Sequence, residues 1–384
     1  VIKVLHVVPS LNVETGGPAR SVSMLADAQT MAGMSVTVLT LDYQRHGRVL
    51  RPEKAALELL EANALARFTR GWSPAFARRA RELAASHDLI HNHGLWMQVN
   101  RFARMAAEAF NRPLISSPRG MLEPYSRQRS VWRKRLAHAA FEARNLAATR
   151  LFHATAELEA AAIRAFVPAA EIAILPNIVA NVAKAQTDPI APPTMLFLGR
   201  LDQKKGLDWL LHAWQQLRGQ RRDWQLHIAG PCGLGFESEY HELRRATAED
   251  ASVHWLGPLD GDAKAAALAD AAVIVLPSRS ENFGNVVTEA LWTGRPVLTT
   301  HATPWAVLAQ EGIGWVVDAT QAGISAGVAT VLASELDQRL QMGARAHVYA
   351  KREFSREAIA AQWQQTYQYV LGAHARPACV WQPT

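Results

Sequence analysis

The chain has 384 residues, 49% hydrophobic and 20% charged, with a net charge of +7, which suits two ordinary globular domains. No apolar run approaches the roughly 18–20 residues that span a bilayer, and Cys232 and Cys379 offer no metal or redox spacing. No nucleic-acid module is visible, so the basic balance points to a phosphorylated substrate or an anionic membrane. The absence of a signal-peptide pattern at the opening run predicts a cytoplasmic location.

In chain order, Val4–Val8 reads as a strand, followed by a loop from Pro9 to Pro18 that contains Gly16 and Gly17. Pro18 suits the first position of the helix that follows. Glycines ahead of a helix start are either a plain turn or a place where backbone N–H groups approach an anion. Ser35–Thr40 is a second strand. Residues 41–75 read as a long basic loop, with Arg45, Arg48 and Arg51 and a helix around Pro52–Ala66. A helix over Ala75–Ala85 leads into the strand Asp88–His93. His91 and His93 share a face there, but no third zinc ligand stands at sensible spacing. Pro113–Ser117 is the next strand and delivers Arg119 to its end, where a guanidinium can meet an acceptor or a phosphate. Arg127, Arg129, Arg133, Lys134 and Arg135 surround Trp132 in a helix read as running from Ser126 to Leu146. That helix is either a solvated face or a surface for an anionic membrane. Leu151–Thr155 and Ile172–Asn177 close the first half, and a Pro-containing linker covers 178–193.

In the second half, strands at 195–199, 224–230, 253–257, 272–276, 295–300 and 314–318 alternate with helices at 206–217 and 262–270. This is the pattern of a doubly wound parallel sheet. The turn from Gly199 to Gly206 places Arg200 and Lys205 beside a helix start, where Arg can fork onto phosphate and Lys can add a point charge. Pro277 to Leu291 begins as a loop at a strand's C-terminal end and continues into a helix. The loop carries Glu281 and the helix carries Glu289. Ligands of open α/β sheets bind at such strand ends. A carboxylate pair there can accept hydrogen bonds from sugar hydroxyls, act as acid and base, or hold a metal. Trp305 and Trp315 are assigned to the core, and a last helix opens at Phe354 with Ser355 as its N-cap.

The segment Pro-Ser-x-Ser-Glu-x-Phe-Gly-x-x-x-x-Glu-Ala over 277–290 resembles the E-x7-E segment of retaining nucleotide-sugar glycosyltransferases of family GT4. Gly199-Arg200-(x)4-Lys205-Gly206 and His91-Asn92-His93-Gly94 resemble two further segments of that family. The resemblance implies the GT-B fold: two Rossmann-like doubly wound α/β domains facing a central cleft, with the C-terminal helix crossing back to the first. It implies an acceptor domain over 1–177, a linker over 178–193, a nucleotide-sugar domain over 194–353, and a crossing helix and tail over 354–384. Arg200 and Lys205 would bind the donor diphosphate, Glu281 the sugar, Glu289 the ribose, and His93 would border the sugar site. Gly16, Gly17, Gly199, Gly230, Leu256, Phe283, Gly284 and Asn285 would line the donor. No cofactor and no metal would be required.

The expected partners are a nucleotide sugar, UDP-linked in preference to GDP-mannose, and a glycan acceptor carried on a lipid, in polysaccharide or lipopolysaccharide assembly. The alternatives are a soluble sugar or small-molecule acceptor and a non-catalytic binding homologue. The basic helix would add peripheral contact with the inner face of the cytoplasmic membrane. Two departures bear on the donor and on the end of the first domain: Asn282 replaces the commoner Gly, and Ile178 follows Asn177 where Gly is usual. A dinucleotide-dependent oxidoreductase is disfavoured, because no Gly-x-Gly-x-x-Gly follows Val8 and no acidic residue ends the strand at Thr40.

Overall fold

A computed structural model describes residues 1–13, 16–43, 48–128, 130–179 and 192–382. The chain forms two compact units, one of Val1–Ile178 with Arg356–Thr384 and the other of Val179–Ser355. The linker expected over 178–193 lies mostly outside the described residues, as do Arg45 and Arg129.

The first unit is built on strands β1 (Lys3–Val7), β2 (Ser35–Asp42), β3 (Ala56–Glu61), β4 (Leu89–His93), β5 (Leu114–Ser117), β6 (Leu151–Ala154) and β7 (Ile172–Ile174). Their order is β7-β6-β5-β4-β1-β2-β3, all parallel. Order reverses between β1 and β4, so the C-terminal ends of these two strands form the crevice where open sheets take ligands. Alternation divides β1 between two cores. Val4 and Val8 pack in one with Trp363 and Tyr367 of the helix Arg356–Val370, while Leu5 and Val7 pack in the other with Phe76 and Phe102. That last helix therefore packs within the first unit.

Three expectations for this unit are corrected. A helix is expected around Pro52–Ala66, a stretch where Ala, Leu and Glu are strong helix formers. Instead Ala56–Glu61 pairs with β2 in register Thr37↔Ala56 to Asp42↔Glu61, and the ladder overrides local propensity. The helix expected from Ser126 to Leu146 is broken. Its pieces are Pro124–Gln128, Val131–Ala137, a π-helical turn at His138–Glu142, and Ala143–Ala147, with Ser130 left-handed at φ 53°. The tail, read as lacking periodicity, contributes the short strand Val380–Trp381, antiparallel to β7.

The second unit holds β8 (Thr194–Leu198), β9 (Gln225–Ala229), β10 (Val253–Gly257), β11 (Val273–Leu276), β12 (Val297–Thr300) and β13 (Gly314–Val317). The order β10-β9-β8-β11-β12-β13 is parallel throughout and reverses between β8 and β11. The helix Leu207–Gln216 buries Leu207, Leu210, Leu211 and Trp214 against this sheet. The helices Glu237–Ala246, Gln321–Ala333 and Leu336–Glu353 were not foreseen. Among the described residues no helix is long and apolar enough to cross a membrane.

Candidate active site

The turn after β8 and the loop after β11 lie at neighbouring strand ends, which brings Arg200, Lys205, Glu281 and Glu289 to one switch point. Two close approaches fix the turn. A Cβ on Gly206, at φ 65°, would collide with the carbonyl oxygen of Pro277, and one on Gly230 with that of Gly199. The Lys205 ammonium donates to Glu281 Oε2, and the Asn282 N–H donates to Oε1 at 3.2 Å. Burial pushes the Glu281 carboxyl up, but the charges of Lys205 and Lys204 and these hydrogen bonds outweigh it and hold the group below its ordinary value. Glu289 is buried on the helix Asn285–Thr293. Its Oε1 accepts from Lys264 Nζ at 2.6 Å, while its Oε2 has no hydrogen-bond partner among the described residues. Arg200 is half exposed, with Nε 3.6 Å from Asp202 Oδ2.

Gly284, left-handed at φ 78°, begins the Glu289 helix, and Asn285 is its first residue. Phe283 is buried and its carbonyl accepts from the Trp305 indole, so Trp305 supports the loop from within the core. Trp315 is partly buried against the core. Leu256 stands apart on edge strand β10, 40% exposed. It lines a different cavity, with Arg244 and Arg245.

Sequence reading missed Lys264, and it missed a clamp on the Glu281 loop. Arg279 forks onto Asp208 at 2.8 and 2.6 Å and lies 3.9 Å over the Trp209 ring, and its backbone N–H donates to the Lys204 carbonyl at 2.8 Å. These residues tie the Glu281 loop to the Lys205 turn. Their only sequence signal was their place beside the two motifs.

In the first unit, β1 pairs with β4 so that His6 stands opposite His91, and β4 with β5 so that His93 stands opposite Ser117. A continuous chain of buried hydrogen bonds results, and its direction is fixed from both ends. Arg119 can only donate, so His93 Nδ1 accepts at 3.1 Å. A neutral His93 then donates from Nε2 to His6 Nδ1 at 2.8 Å, and His6 Nε2–H donates to Gln29 Oε1 at 2.7 Å. At the other end the Leu175 carbonyl can only accept, so His153 donates from Nε2 at 2.9 Å and its Nδ1 takes the Ser117 hydroxyl at 2.7 Å. Ser117 Oγ accepts His91 Nε2–H at 2.7 Å, and His91 Nδ1 accepts the Tyr367 hydroxyl at 2.8 Å. Gln29 closes the chain by donating to Tyr367 at 2.8 Å. Burial keeps all four rings neutral, pushing His6 down to about 4, His153 to about 3, and His91 and His93 well below their ordinary value.

His93 is therefore buried with both nitrogens engaged. The charged group at this strand end is Arg119, left-handed at φ 56°, which also donates to Asn177 Oδ1 at 2.6 Å and is pushed down by burial to about 10. Asn177, the residue before the departing Ile178, thus holds the guanidinium. His6 supplies the third imidazole that the His-x-His pair lacked, and the ring nitrogens of His6, His91 and His93 lie within 4.8 Å of one another. The donor set is a poor metal fit, because a cation would have to displace a bond from each ring it used. Gly16, at φ 80° and ψ −137°, and Gly17 open the helix Gly17–Met31 behind β1, with Pro18 in its first turn.

Residues 16–178 match the family model "Glycosyl transferase 4-like domain", and residues 192–334 match "Glycosyl transferases group 1". A D-inositol 3-phosphate glycosyltransferase of Corynebacterium kroppenstedtii is 29% identical over 196 residues, 49% of this chain and 43% of the relative. The chain thus spans less than half the length of that curated relative. Among solved structures, Anabaena HepE in complex with UDP and glucose aligns with a TM-score of 0.74 at 16% identity, over 96% of this chain and 100% of that one. Sucrose-phosphate synthase from Thermosynechococcus elongatus aligns at 0.76 and 19%, over 97% and 100%. At those identities the likeness is one of fold. Two doubly wound domains of this kind define the GT-B class. Within it, this chain belongs to the glycosyl transferases of group 1, with a glycosyl transferase 4-like first domain.

Proposed function

We propose that the protein is a retaining, metal-independent glycosyltransferase that moves a hexose from a nucleoside-diphosphate sugar to a glycan acceptor. The observation that carries this reading is the buried Glu289 Oε2, left without a partner among the described residues, on the helix that follows the Glu281 loop. A buried acceptor of this kind is costly unless a ligand donor reaches it, and a ribose hydroxyl is such a donor. Lys205 has three N–H bonds, so it can hold Glu281 and a diphosphate oxygen together, while Arg200 takes a second oxygen. These cations and the backbone N–H groups at Gly284 stabilise the departing diphosphate, so this reading calls for no metal. Glu281, held ionised, accepts from the sugar hydroxyls and supports the cation-like anomeric carbon. Attack on the same face, with the diphosphate taking the acceptor proton, accounts for retention. His93 acts as a positioning residue for Arg119.

UDP is favoured as the base carrier because HepE is described with UDP. Two acceptor readings remain. The exposed Trp132 and Leu136 among the basic residues at 127–135 favour a lipid-linked glycan at an anionic membrane. The names of the inositol-phosphate and sucrose-phosphate relatives favour a soluble acceptor. The test is to incubate the protein with a panel of UDP- and GDP-hexoses, with and without EDTA. Nucleotide release from one donor, undiminished by the chelator and with the anomeric configuration kept in the product, is expected. Nucleotide binding without release from any donor would support a non-catalytic homologue, and loss restorable by metal would overturn the metal-independent reading.

A further inference from the structure

The broken helix of the first unit borders a cavity of about 590 Å³, lined by the rings of Trp96, His138 and Phe166 and by Arg127, Lys134 and Arg135. That volume suits a small ligand. Val131, Lys134, Arg135 and His138 recur at helical spacing and line the cavity, whereas Trp132 and Leu136 do not line it and are more exposed than Val131. The three rings stand 5.7 to 6.3 Å apart, and the Arg127 guanidinium lies 4.9 Å over Phe166. Two buried nitrogens here, Trp96 Nε1 and His138 Nδ1, have no hydrogen-bond partner among the described residues.

Trp96 is also held at φ 68°, a conformation that costs a bulky residue energy and persists only where its surroundings enforce it. Its backbone N–H donates to Glu142 Oε2 at 2.9 Å, which anchors the loop to the π-helical turn. Turns of that kind recur at functional sites. Burial pushes the Glu142 carboxyl up to about 7, so it does not set a full negative charge against an anion.

We propose that this cavity binds a monosaccharide unit bearing a phosphate or carboxylate. The sugar ring lies against Trp96 and Phe166, and the anion meets Arg127, Arg135 and the Trp96 indole N–H. If the first unit receives the acceptor, this is the subsite for the acceptor's charged unit. The binding test needs no donor and no turnover, so its outcome is separate from that of the glycosyltransferase reading.

Calorimetric titration with glucose 6-phosphate, glucuronate, glucose and inorganic phosphate decides it. One of the two anionic sugars is expected to bind about tenfold or more tighter than glucose and than phosphate, the increment of one charge-assisted contact. Arg127→Gln with Arg135→Gln should lose about tenfold or more of that affinity. Trp96→Phe, which keeps a ring but removes the N–H, should lose a smaller share. Thermal unfolding followed by near-UV circular dichroism, measured alongside, reports that the variants are folded. The proposal is overturned if neither anionic sugar outbinds inorganic phosphate, which would leave only a cationic surface. It is equally overturned if the double variant binds like the wild type, which would place the ligand elsewhere.

Discussion

The two sheets each place polar groups at their switch point, but with opposite electrostatics. At the first, four neutral histidines, Gln29, Ser117 and Tyr367 satisfy one another in a closed chain with Arg119 as the one cation in it. At the second, Lys205–Glu281, Lys264–Glu289 and Arg279–Asp208 form ion pairs, and one Glu289 oxygen has no partner among the described residues. In the first, every histidine nitrogen is engaged and Arg119 Nε is the atom of the chain without a partner among the described residues, so the network orders the structure around it; in the second, a buried carboxylate oxygen awaits a ligand. The same contrast separates what titration, substitution and nucleotide should each do.

Acid should produce the largest effect, and in the first unit. His6, His91, His93 and His153 have folded values well below the unfolded value near 6.5, with His6 at about 4 and His153 at about 3. The unfolded state therefore binds more protons across that window. The stabilisation is complete above about pH 6.5 and is lost as pH falls toward the folded values, at roughly 1.4 kcal/mol per pH unit for each ring. Glu281 is held below the ordinary carboxylate value, so its contribution is present above about 4.5 and fades only as pH falls through its folded value. Hydrogen exchange resolved by segment at pH 7 and pH 5.5 should show protection falling first in the first unit. Equal loss in both units would break the contrast.

Glu281→Gln should lower turnover by about 10²-fold or more, the scale of a lost transition-state contact. UDP affinity should change little, because the proposed partner of Glu281 is the sugar. Parallel losses in turnover and UDP affinity would move Glu281 to the nucleotide. Tyr367→Phe removes one hydroxyl from the histidine chain and strands Gln29 and His91. It should cost about 1–3 kcal/mol in denaturant unfolding while leaving UDP affinity intact, and unchanged stability would show that the chain is not closed. The smallest effect concerns the basic helix. Each basic residue near an anionic bilayer contributes roughly 1 kcal/mol and is screened by salt. Co-sedimentation with anionic liposomes at low salt should therefore fade at high salt and on replacing Arg127, Arg133, Lys134 and Arg135 by Ser. No sedimentation of the wild type would leave the helix a solvated face.

Legibility followed locality. In the second unit Lys205 and Gly206 lie in one turn, and Glu281 and Glu289 in one strand–loop–helix, so a local motif singled them out and its resemblance to family GT4 gave them their expected roles. Lys264, 25 positions from Glu289, did not show. In the first unit the decisive partners are remote: His6 meets His93 across 87 positions, and Tyr367 meets His91 across 276. Only the registers of β1, β4 and β5 and the packing of the last helix bring them together. The strand at 56–61 was hidden for a related reason, since its residues favour a helix locally and only the β2 ladder decides otherwise.

The central claim is that the second unit's unsatisfied carboxylate holds a nucleotide. Titration of UDP into the wild type, Glu289→Ala and Arg200→Ala tests it most directly. The account predicts binding by the wild type. It predicts a loss of about 1.5–3 kcal/mol on removing Arg200, the worth of a charge-assisted contact, and a comparable loss on removing Glu289. Wild-type protein that binds neither UDP nor GDP, or a Glu289→Ala protein that binds UDP as the wild type does, would contradict it.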